Sequence, residues 1–161
     1  MSIDFANIKR ARLSSPIRML RDMGFLDGRY SVFDYGCGRG DDVIAMREMG
    51  VDANGFDVKF FSDNPLFEAD IVNLGFVINV IPNKKDRTLN AFKLARKFLI
   101  ISVPRYESVN SRRNYTRFND GYITTRTFQM HYVGQEVQNY ILSVLKSTPY
   151  KTETGIFIVA K

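Results

Sequence analysis

A glycine-rich segment flanked by acidic residues carries the clearest chemical signal in this 161-residue sequence. It runs from Asp34 to Asp42 and reads Asp-Tyr-Gly-Cys-Gly-Arg-Gly-Asp-Asp. Closely spaced glycines let a backbone turn sharply and approach a ligand at points where a Cβ atom would collide with it. The apolar run before the segment predicts a buried strand, and the residues after it have helical spacing. This order indicates a site where the first N–H groups of a helix meet a carboxylate or phosphate.

An acidic residue at the end of the next predicted strand adds to this signal. Asp57 stands where a carboxylate can accept hydrogen bonds from both hydroxyls of a ribose. Two classes of cofactor use such a layout. A dinucleotide fingerprint has its third glycine one residue later than Gly40, and Asp41 and Asp42 would place negative charge where a pyrophosphate rests. A nucleoside without phosphates fits better, and a glycine turn that binds nothing is the alternative.

The order Asp-x-Gly-x-Gly-x-Gly followed by acids is similar to the S-adenosylmethionine (SAM) loop of class I methyltransferases. The likeness implies glycines against the methionine part of the cofactor, carboxylates at its polar end and Asp57 on the ribose. The residues from Asn73 to Gly75 would lie beneath the cofactor and form the floor of its site. The implied cofactor contacts are Asp34, Gly36, Gly38, Gly40, Asp41, Asp57, Asn73, Leu74 and Gly75.

Two longer motifs, from Val32 to Val43 and from Asp70 to Ile81, extend the likeness. With shorter matches at Asp120-Gly121, Thr127-Phe128-Gln129 and Gly155-Ile156-Phe157, the chain resembles the family of DNA phosphorothioation-associated methyltransferases. The resemblance covers most of the chain. It implies a bacterial, class I SAM-dependent methyltransferase encoded near DNA-modification and defence genes, and it does not supply the substrate. The chain departs from the family pattern at Arg126, Met130 and His131, where the family has Gly, Lys and an aromatic residue.

Strand and helix signals alternate along the whole chain, which favours a doubly wound, mostly parallel α/β sheet of the Rossmann-like type. Too few residues separate Asp57 from Asp70 for a crossover helix and another strand, so we expect a minimal fold with a shortened strand-3 region. The predicted strands are 30–35, 51–56, 71–74, 98–103 and 155–160, and the predicted helices are 17–23, 41–49, 86–97 and 135–145. Ser14-Ser15-Pro16 is expected to form the cap of the first helix, with Pro16 at the first helical position.

Candidate catalytic residues are fewer than candidate cofactor contacts. Methylation of cytosine C5 needs a thiolate, and Cys37 lies inside the glycine loop, so we exclude that reaction. Adenine amine methylation commonly uses an Asp/Asn-Pro-Pro-aromatic motif, and its amide position is occupied by Gly75. Asn79 is the best placed polar residue to face a transferred methyl group, or it caps the following segment. His131 could act as a general base, although no acidic partner is identifiable in the sequence.

The charge of the chain is unevenly distributed. The formal net charge is +6, from 23 Lys and Arg against 17 Asp and Glu. An acidic centre lies between a basic N-terminal helical segment, 1–24, and a basic insertion loop, 104–130. Arginines can bind phosphates while Tyr and Phe stack on bases, so the loop suggests a nucleic-acid or nucleotide-like substrate. A solvated loop is an equally good interpretation. The candidate substrate contacts are Arg105, Arg112, Arg113, Tyr115, Arg117, Phe128 and Gln129.

Composition narrows the class of protein further. One cysteine and one histidine cannot form an internal disulfide or a structural zinc site, so no metal is expected. No apolar run reaches the roughly 20 residues that a membrane span needs, and the first residues lack the apolar stretch of a signal peptide. We expect one cytoplasmic domain over 1–161, a SAM-dependent methyltransferase that acts on nucleic acid or a nucleotide-like substrate. The alternatives are a non-catalytic accessory protein that binds SAM or nucleic acid, and a small-molecule methyltransferase.

Overall fold

The computed structural model describes residues 12–104, 115–124, 127–153 and 155–161. In these residues the helices are α1 (Ser15–Asp22), α2 (Asp41–Glu48), α3 (Leu89–Leu94) and α4 (Glu136–Leu145). The strands are β1 (Val32–Tyr35), β2 (Ala53–Phe56), β3 (Ala69–Gly75), β4 (Ala95–Ser102), β5 (Thr116–Phe118), β6 (Gly121–Ile123), β7 (Phe128–Gln129), β8 (Tyr150–Glu153) and β9 (Ile156–Ala160). No helix among the described residues is long and apolar enough to cross a membrane.

A six-stranded sheet in the order β2-β1-β3-β4-β9-β8 forms the centre of the fold. Strand β1 pairs in parallel with β2 and β3, and β3 pairs in parallel with β4. Strand β9 runs antiparallel to both of its neighbours, β4 and β8. The carboxyl ends of β1, β2, β3 and β4 therefore meet at one end of the sheet, which is where parallel α/β sheets bind ligands.

Two apolar layers cover the sheet. Helices α1 and α2 pack on one face, where Leu20 and Met46 join Ile71 in one buried cluster. Helices α3 and α4 pack on the other face, where Ile141 joins Val72 in a second cluster. Ile71 and Val72 belong to different clusters because successive side chains of a strand point to opposite faces of the sheet. The predicted doubly wound, mostly parallel α/β sheet is confirmed.

The connection between β2 and β3 contains no strand, as its length predicts. A single bridge joins Asp57 to Phe61, and β2 is left at the edge of the sheet. Two side chains cover carbonyl oxygens of this edge strand: Arg47 Nε donates to Ala53 O over 2.7 Å, and Asn64 Nδ2 donates to Gly55 O over 3.0 Å. These contacts protect the edge from pairing with another strand.

The predicted helix 86–97 is wrong at both ends. Helix α3 spans only Leu89–Leu94, and the residues from Ala95 onward belong to β4. Ala95 pairs with Ala69 of β3, and the carbonyl of Lys97 accepts a hydrogen bond from the backbone N–H of Lys161. Sheet pairing on both sides of β4 thus overrides the helical tendency of an Ala-Arg-Lys sequence.

The predicted loop 104–130 is also corrected, because the described part of it contains a separate three-stranded antiparallel sheet, β5-β6-β7. Its tight packing depends on Gly121, where a Cβ atom would lie 2.4 Å from Cζ of Phe128 and 2.7 Å from the carbonyl oxygen of Gln129. The strands have only two or three residues each, too few for an alternating pattern to be recognised. The short, largely exposed edge strand β8 was not predicted for the same reason.

Candidate functional site

A cavity of about 470 Å³ opens at the carboxyl ends of β1, β2 and β3. Its volume falls within the range of pockets that hold small molecules and cofactors. The glycine loop and the segment after β2 supply part of its wall, and the segment that follows β3 supplies the opposite part. The lining residues are Ser14, Asp34, Tyr35, Gly36, Cys37, Gly38, Arg39, Asp41, Asp42, Phe56, Asp57, Val58, Phe60, Asn73, Gly75, Phe76, Val77, Val80, Ile81, Pro82, Asp86 and Asn90.

The glycine loop connects β1 to α2 by a backbone path that requires glycine. Gly36 has a φ of 89°, and a Cβ atom there would lie 2.4 Å from Cγ2 of Val77. The backbone N–H groups of Gly36 and Cys37 both donate to the carbonyl of Phe56, over 2.7 and 3.0 Å. The loop is therefore held against the end of β2 while its inner side faces the cavity.

Asp57 is fixed in the cavity wall by three backbone donors. Its Oδ2 accepts from the N–H of Gly38 over 2.9 Å, and its Oδ1 accepts from the N–H groups of Lys59 and Phe60 over 2.9 and 3.2 Å. An ionised carboxylate offers about four acceptor positions, two on each oxygen, so one position remains, on Oδ2. The glycine loop thus orients the carboxylate, which can still accept a hydrogen bond from a ribose hydroxyl.

A second polar group lies where α1 approaches the ends of β1 and β3. Asn73 Nδ2 donates to Asp34 Oδ1 over 2.9 Å, and the N–H of Ser14 donates to Asp42 Oδ1 over the same distance. Asn73 Oδ1 and Ser14 Oγ are buried and have no hydrogen-bond partner among the described residues. An unsatisfied buried polar atom costs roughly 1–3 kcal/mol. These two atoms, beside a carboxylate, fit a ligand that brings N–H donors, such as an ammonium group.

Ser14 therefore differs from its predicted role as a helix cap. It occupies the N-cap position of α1, but its side chain makes no capping hydrogen bond. The Ser-Ser-Pro pattern predicted the position of the helix and gave no signal that the hydroxyl lines the cavity.

The cavity has a strongly negative lining. Among its described residues Arg39 is the one basic side chain, against the carboxylates of Asp34, Asp41, Asp42, Asp57 and Asp86. Burial, reinforced by the charges of Asp34 and Asp57, raises the pKa of Cys37 to about 12, so its thiol is a poor nucleophile. Burial also raises the pKa of Tyr35, and the charge of Asp86 adds to that effect. Such surroundings favour a ligand with positive charge.

The structure brings most of the predicted cofactor contacts together. Asp34, Gly36, Gly38 and Asp41 line the cavity, as do Asp57, Asn73 and Gly75. Two predicted contacts lie elsewhere. Gly40 is the N-cap of α2 and lies under the ring of Phe61, while Leu74 is fully buried in the core layer of α3 and α4.

The predicted catalytic residues, Asn79 and His131, lie outside the cavity lining. Asn79 is buried; its Nδ2 donates to Gln129 Oε1 over 3.2 Å, and its carbonyl accepts from the N–H of Met130 over 2.7 Å. His131 is buried as well, with the rings of Tyr115 and Tyr122 at centroid distances of 5.6 and 6.1 Å. Asn79 thus joins the segment after β3 to the β5-β6-β7 sheet, and His131 packs against two rings of that sheet region.

The predicted substrate contacts that the structure describes lie in or beside the β5-β6-β7 sheet. Arg105, Arg112 and Arg113 lie outside the described residues. Arg117 is exposed on β5 and Tyr115 precedes that strand, whereas Phe128 is buried and Gln129 contacts Asn79. None of these four described side chains lines the cavity.

One residue that the sequence did not single out forms a hydrogen-bonded ion pair beside the site. Arg87 is buried and makes a bidentate ion pair with Asp120, with N···O distances of 2.6 and 2.7 Å. In the sequence it ends the run Lys84-Lys85-Asp86-Arg87, which is typical of a solvated surface. The one feature of the sequence that pointed to this ion pair was the Asp120-Gly121 motif.

Comparisons with known proteins identify the fold to which this architecture belongs. No protein-family model matches the chain, and no curated protein matches it. Among solved structures, magnesium protoporphyrin IX methyltransferase of Synechocystis PCC 6803 with bound S-adenosylhomocysteine (SAH) has a TM-score of 0.61 at 16% identity, over 91% of this chain and 80% of that chain. The 1,6-didemethyltoxoflavin-N1-methyltransferase of Burkholderia thailandensis, with its substrate and SAH, has a TM-score of 0.60 at 14% identity, over 91% and 78%.

A SAM-dependent methyltransferase of Bacteroides fragilis in complex with SAH gives a TM-score of 0.56 at 13% identity, over 94% of this chain and 78% of that chain. At these identities the likeness establishes the fold. The chain has the Rossmann-like fold of class I SAM-dependent methyltransferases, as the sequence predicts.

Proposed function

We propose that this protein is a SAM-dependent methyltransferase. The observation that carries the proposal is the cavity: a glycine loop, a fixed carboxylate at the end of β2 and unsatisfied buried polar atoms converge at the end of the sheet. The similar solved structures contain SAH at sites of the same fold, which supports this choice of cofactor. The negative lining also supports it, because the sulfonium of SAM is a cation.

The residues of the cavity suit the parts of SAM. Asp57 would accept a hydrogen bond from a ribose hydroxyl, and the loop from Gly36 to Gly38 would let the backbone approach the ligand closely. Asn73 Oδ1 and Ser14 Oγ would receive donors from the amino end, beside the carboxylate of Asp34. When bound, SAM supplies an electrophilic methyl group.

Catalysis at such a site depends chiefly on placing the acceptor in line with the methyl group. Asn79 and His131 lie outside the cavity lining, so neither contacts a molecule bound there in this arrangement. Asp86 and Asn90 are polar side chains that line the cavity. We infer that the protein orients an acceptor that already has an available lone pair.

Isothermal titration calorimetry with the full chain tests the cofactor assignment. We expect saturable binding of SAM and SAH and much weaker binding of NAD⁺, whose pyrophosphate would meet the carboxylates of Asp41 and Asp42. Binding of NAD⁺ as tight as that of SAM would overturn the assignment.

The acceptor is a finer proposal: nucleic acid or a nucleotide-like molecule, in a DNA-modification or defence context. Its support is the resemblance to phosphorothioation-associated methyltransferases and the basic character of the segment 84–126. The methyltransferases of similar structure named above act on small molecules, a porphyrin and a toxoflavin precursor, which favours a small acceptor as the second candidate.

Salt dependence separates the two acceptor classes. A substrate held through several phosphates should lose affinity steeply between about 50 and 200 mM salt, because binding releases condensed counterions. A small acceptor enclosed in the cavity should be nearly insensitive to salt. Tight SAM binding without product from any acceptor would instead favour a non-catalytic accessory protein.

A further inference from the structure

The guanidinium of Arg87 is buried with all five of its N–H donors in use. Its Nε donates to the carbonyl of Ile81 over 2.5 Å, and Nη2 donates to the carbonyl of Pro82 over 3.1 Å. Nη1 and Nη2 also make the fork to Asp120, and Nη1 donates to the hydroxyl of Tyr132 over 3.2 Å. Because every donor of this buried guanidinium has an acceptor, the groups bound to it are held in one arrangement.

The groups that Arg87 joins belong to different parts of the molecule. Ile81 and Pro82 are part of the cavity wall. Asp120 lies in the turn between β5 and β6, and Tyr132 lies between β7 and α4. One side chain therefore connects the wall of the cavity to the three-stranded sheet and to the segment that leads into α4.

Aromatic rings enclose the same guanidinium. Its Cζ lies 5.3 Å from the ring centroid of Phe128 and 5.9 Å from that of Tyr140. These are cation–π distances. The hydroxyl of Tyr140 in turn donates to the carbonyl of Lys84 over 2.9 Å, so the segment that precedes Arg87 is also held by α4.

Electrostatics keep both members of the ion pair charged. Burial alone would raise the pKa of Asp120, but the hydrogen bonds and charge of Arg87 outweigh it and the net pKa is lowered. For Arg87, burial acts to lower the pKa, and the bonds and charge of Asp120 reverse that effect. Lysine cannot reproduce the arrangement, because an ammonium has three donors and no planar fork.

We infer that Arg87 is a positioning residue for the cofactor cavity, holding the 81–82 wall in register with the β5-β6-β7 sheet. The inference rests on the proposed function, since the wall it fixes belongs to the proposed SAM site. Arg87 does not line the cavity itself, so it acts through the carbonyls of Ile81 and Pro82.

The test compares SAM affinity with stability in three variants. Arg87→Lys and the milder Asp120→Asn should each weaken SAM binding tenfold or more by calorimetry, at a temperature where thermal melts show every protein folded. The double variant Arg87→Met with Asp120→Leu replaces the ion pair, in which Arg87 is buried and Asp120 is half-buried, by apolar side chains, which can restore stability. We expect it to recover melting temperature relative to Arg87→Lys without recovering SAM affinity, because the bonds to the two wall carbonyls stay absent.

Arg96→Lys is the matched control. Arg96 pairs with Asp70 at the amino end of β3, with an N···O distance of 3.3 Å, and neither residue lines the cavity. This variant should bind SAM within twofold of the wild type. SAM affinity that is unchanged in Arg87→Lys and Asp120→Asn, or that follows melting temperature in all variants, would overturn the positioning role alone. Absence of SAM binding by the wild type would overturn the proposed function and this inference with it.

Discussion

Replacement of Asp57 by asparagine is the most informative single perturbation of the proposed site. The carboxylate accepts three backbone N–H groups, so alanine would leave those donors unpaired and disturb the loop. Asparagine keeps the shape and one acceptor oxygen. If its amide nitrogen faces Gly38, that N–H loses its acceptor, at a stability cost of roughly 1–3 kcal/mol.

The effect of Asp57→Asn on SAM affinity follows from hydrogen-bond energies. Bonds to an ionised acceptor contribute about 1.5–3 kcal/mol, and bonds between neutral groups about 0.5–1.5 kcal/mol. For a ribose hydroxyl bound at the remaining acceptor position, loss of that charge-assisted bond should cost about 1.4–2.7 kcal/mol, which is roughly 10- to 100-fold in Kd.

Calorimetry with SAM measures this loss directly, and urea unfolding of the same samples measures stability. Asp63→Asn is the matched control, since Asp63 is an exposed carboxylate in the same connection and does not line the cavity. The control should leave both quantities unchanged. An Asp57→Asn variant that binds SAM within twofold of the wild type would refute the assignment of Asp57 to the ribose.

Three further predictions concern the glycine loop, its thiol and an acidic residue at the amino end of the sheet. Gly36→Ala should destabilise the protein by about 1–3 kcal/mol more than Gly50→Ala in urea unfolding. The φ values are similar, 89° and 85°, but a Cβ at Gly36 meets Val77 whereas one at Gly50 has no described atom within 4 Å; equal losses would contradict the clash. The Cys37 thiol should react with a disulfide reagent at pH 8 about 30-fold more slowly than in the urea-unfolded chain, because burial raises its pKa from 9.0 to about 12 and the lower thiolate fraction outweighs the greater nucleophilicity of a more basic thiolate; a rate equal to the unfolded rate would count against this. Asp70 has a pKa lowered chiefly by a backbone N–H bond, so its carboxylate stabilises the fold above its ordinary pKa of 3.8 and loses that effect as pH falls through the folded value. Asp70→Asn should therefore flatten the loss of stability below about pH 4 in urea melts, and an unchanged pH profile would argue against it.

The parts of the fold that the sequence predicted are those with local signals. Buried strands such as Val32–Tyr35 are continuous apolar runs next to glycine, and the glycine loop needs backbone angles that few other residues adopt. The position of Asp57 followed from the strand before it. The connection between Asp57 and Asp70 is too short for a crossover helix and another strand, so its length alone predicted the shortened region.

The parts that were missed depend on contacts between distant segments. The ends of α3 are set by pairing of Ala95 with β3, which no local pattern records. Arg87 and Asp120 find each other across 33 positions of the sequence, and neither has an unusual neighbourhood in the chain. Asn79 and His131 were singled out from their positions in the sequence. Their packing against the β5-β6-β7 sheet depends on contacts between distant segments.

The structure shows where the acidic stretch of the sequence and part of the basic stretch lie. The acidic stretch of the sequence contributes Asp34, Asp41, Asp42 and Asp57 to one cavity, where a sulfonium would be held. One basic residue of the segment 84–126, Arg87, is buried in the fold, because it forms an ion pair with Asp120.

The most direct test of the proposed activity is the formation of SAH from SAM by the purified chain, measured by mass spectrometry in the presence of DNA, RNA, protein and small-molecule acceptors. A methyltransferase should release SAH in step with methylated product for at least one acceptor class, and Asp57→Asn should reduce the rate at subsaturating SAM. Saturable SAM binding with no SAH from any acceptor class would contradict the proposed activity.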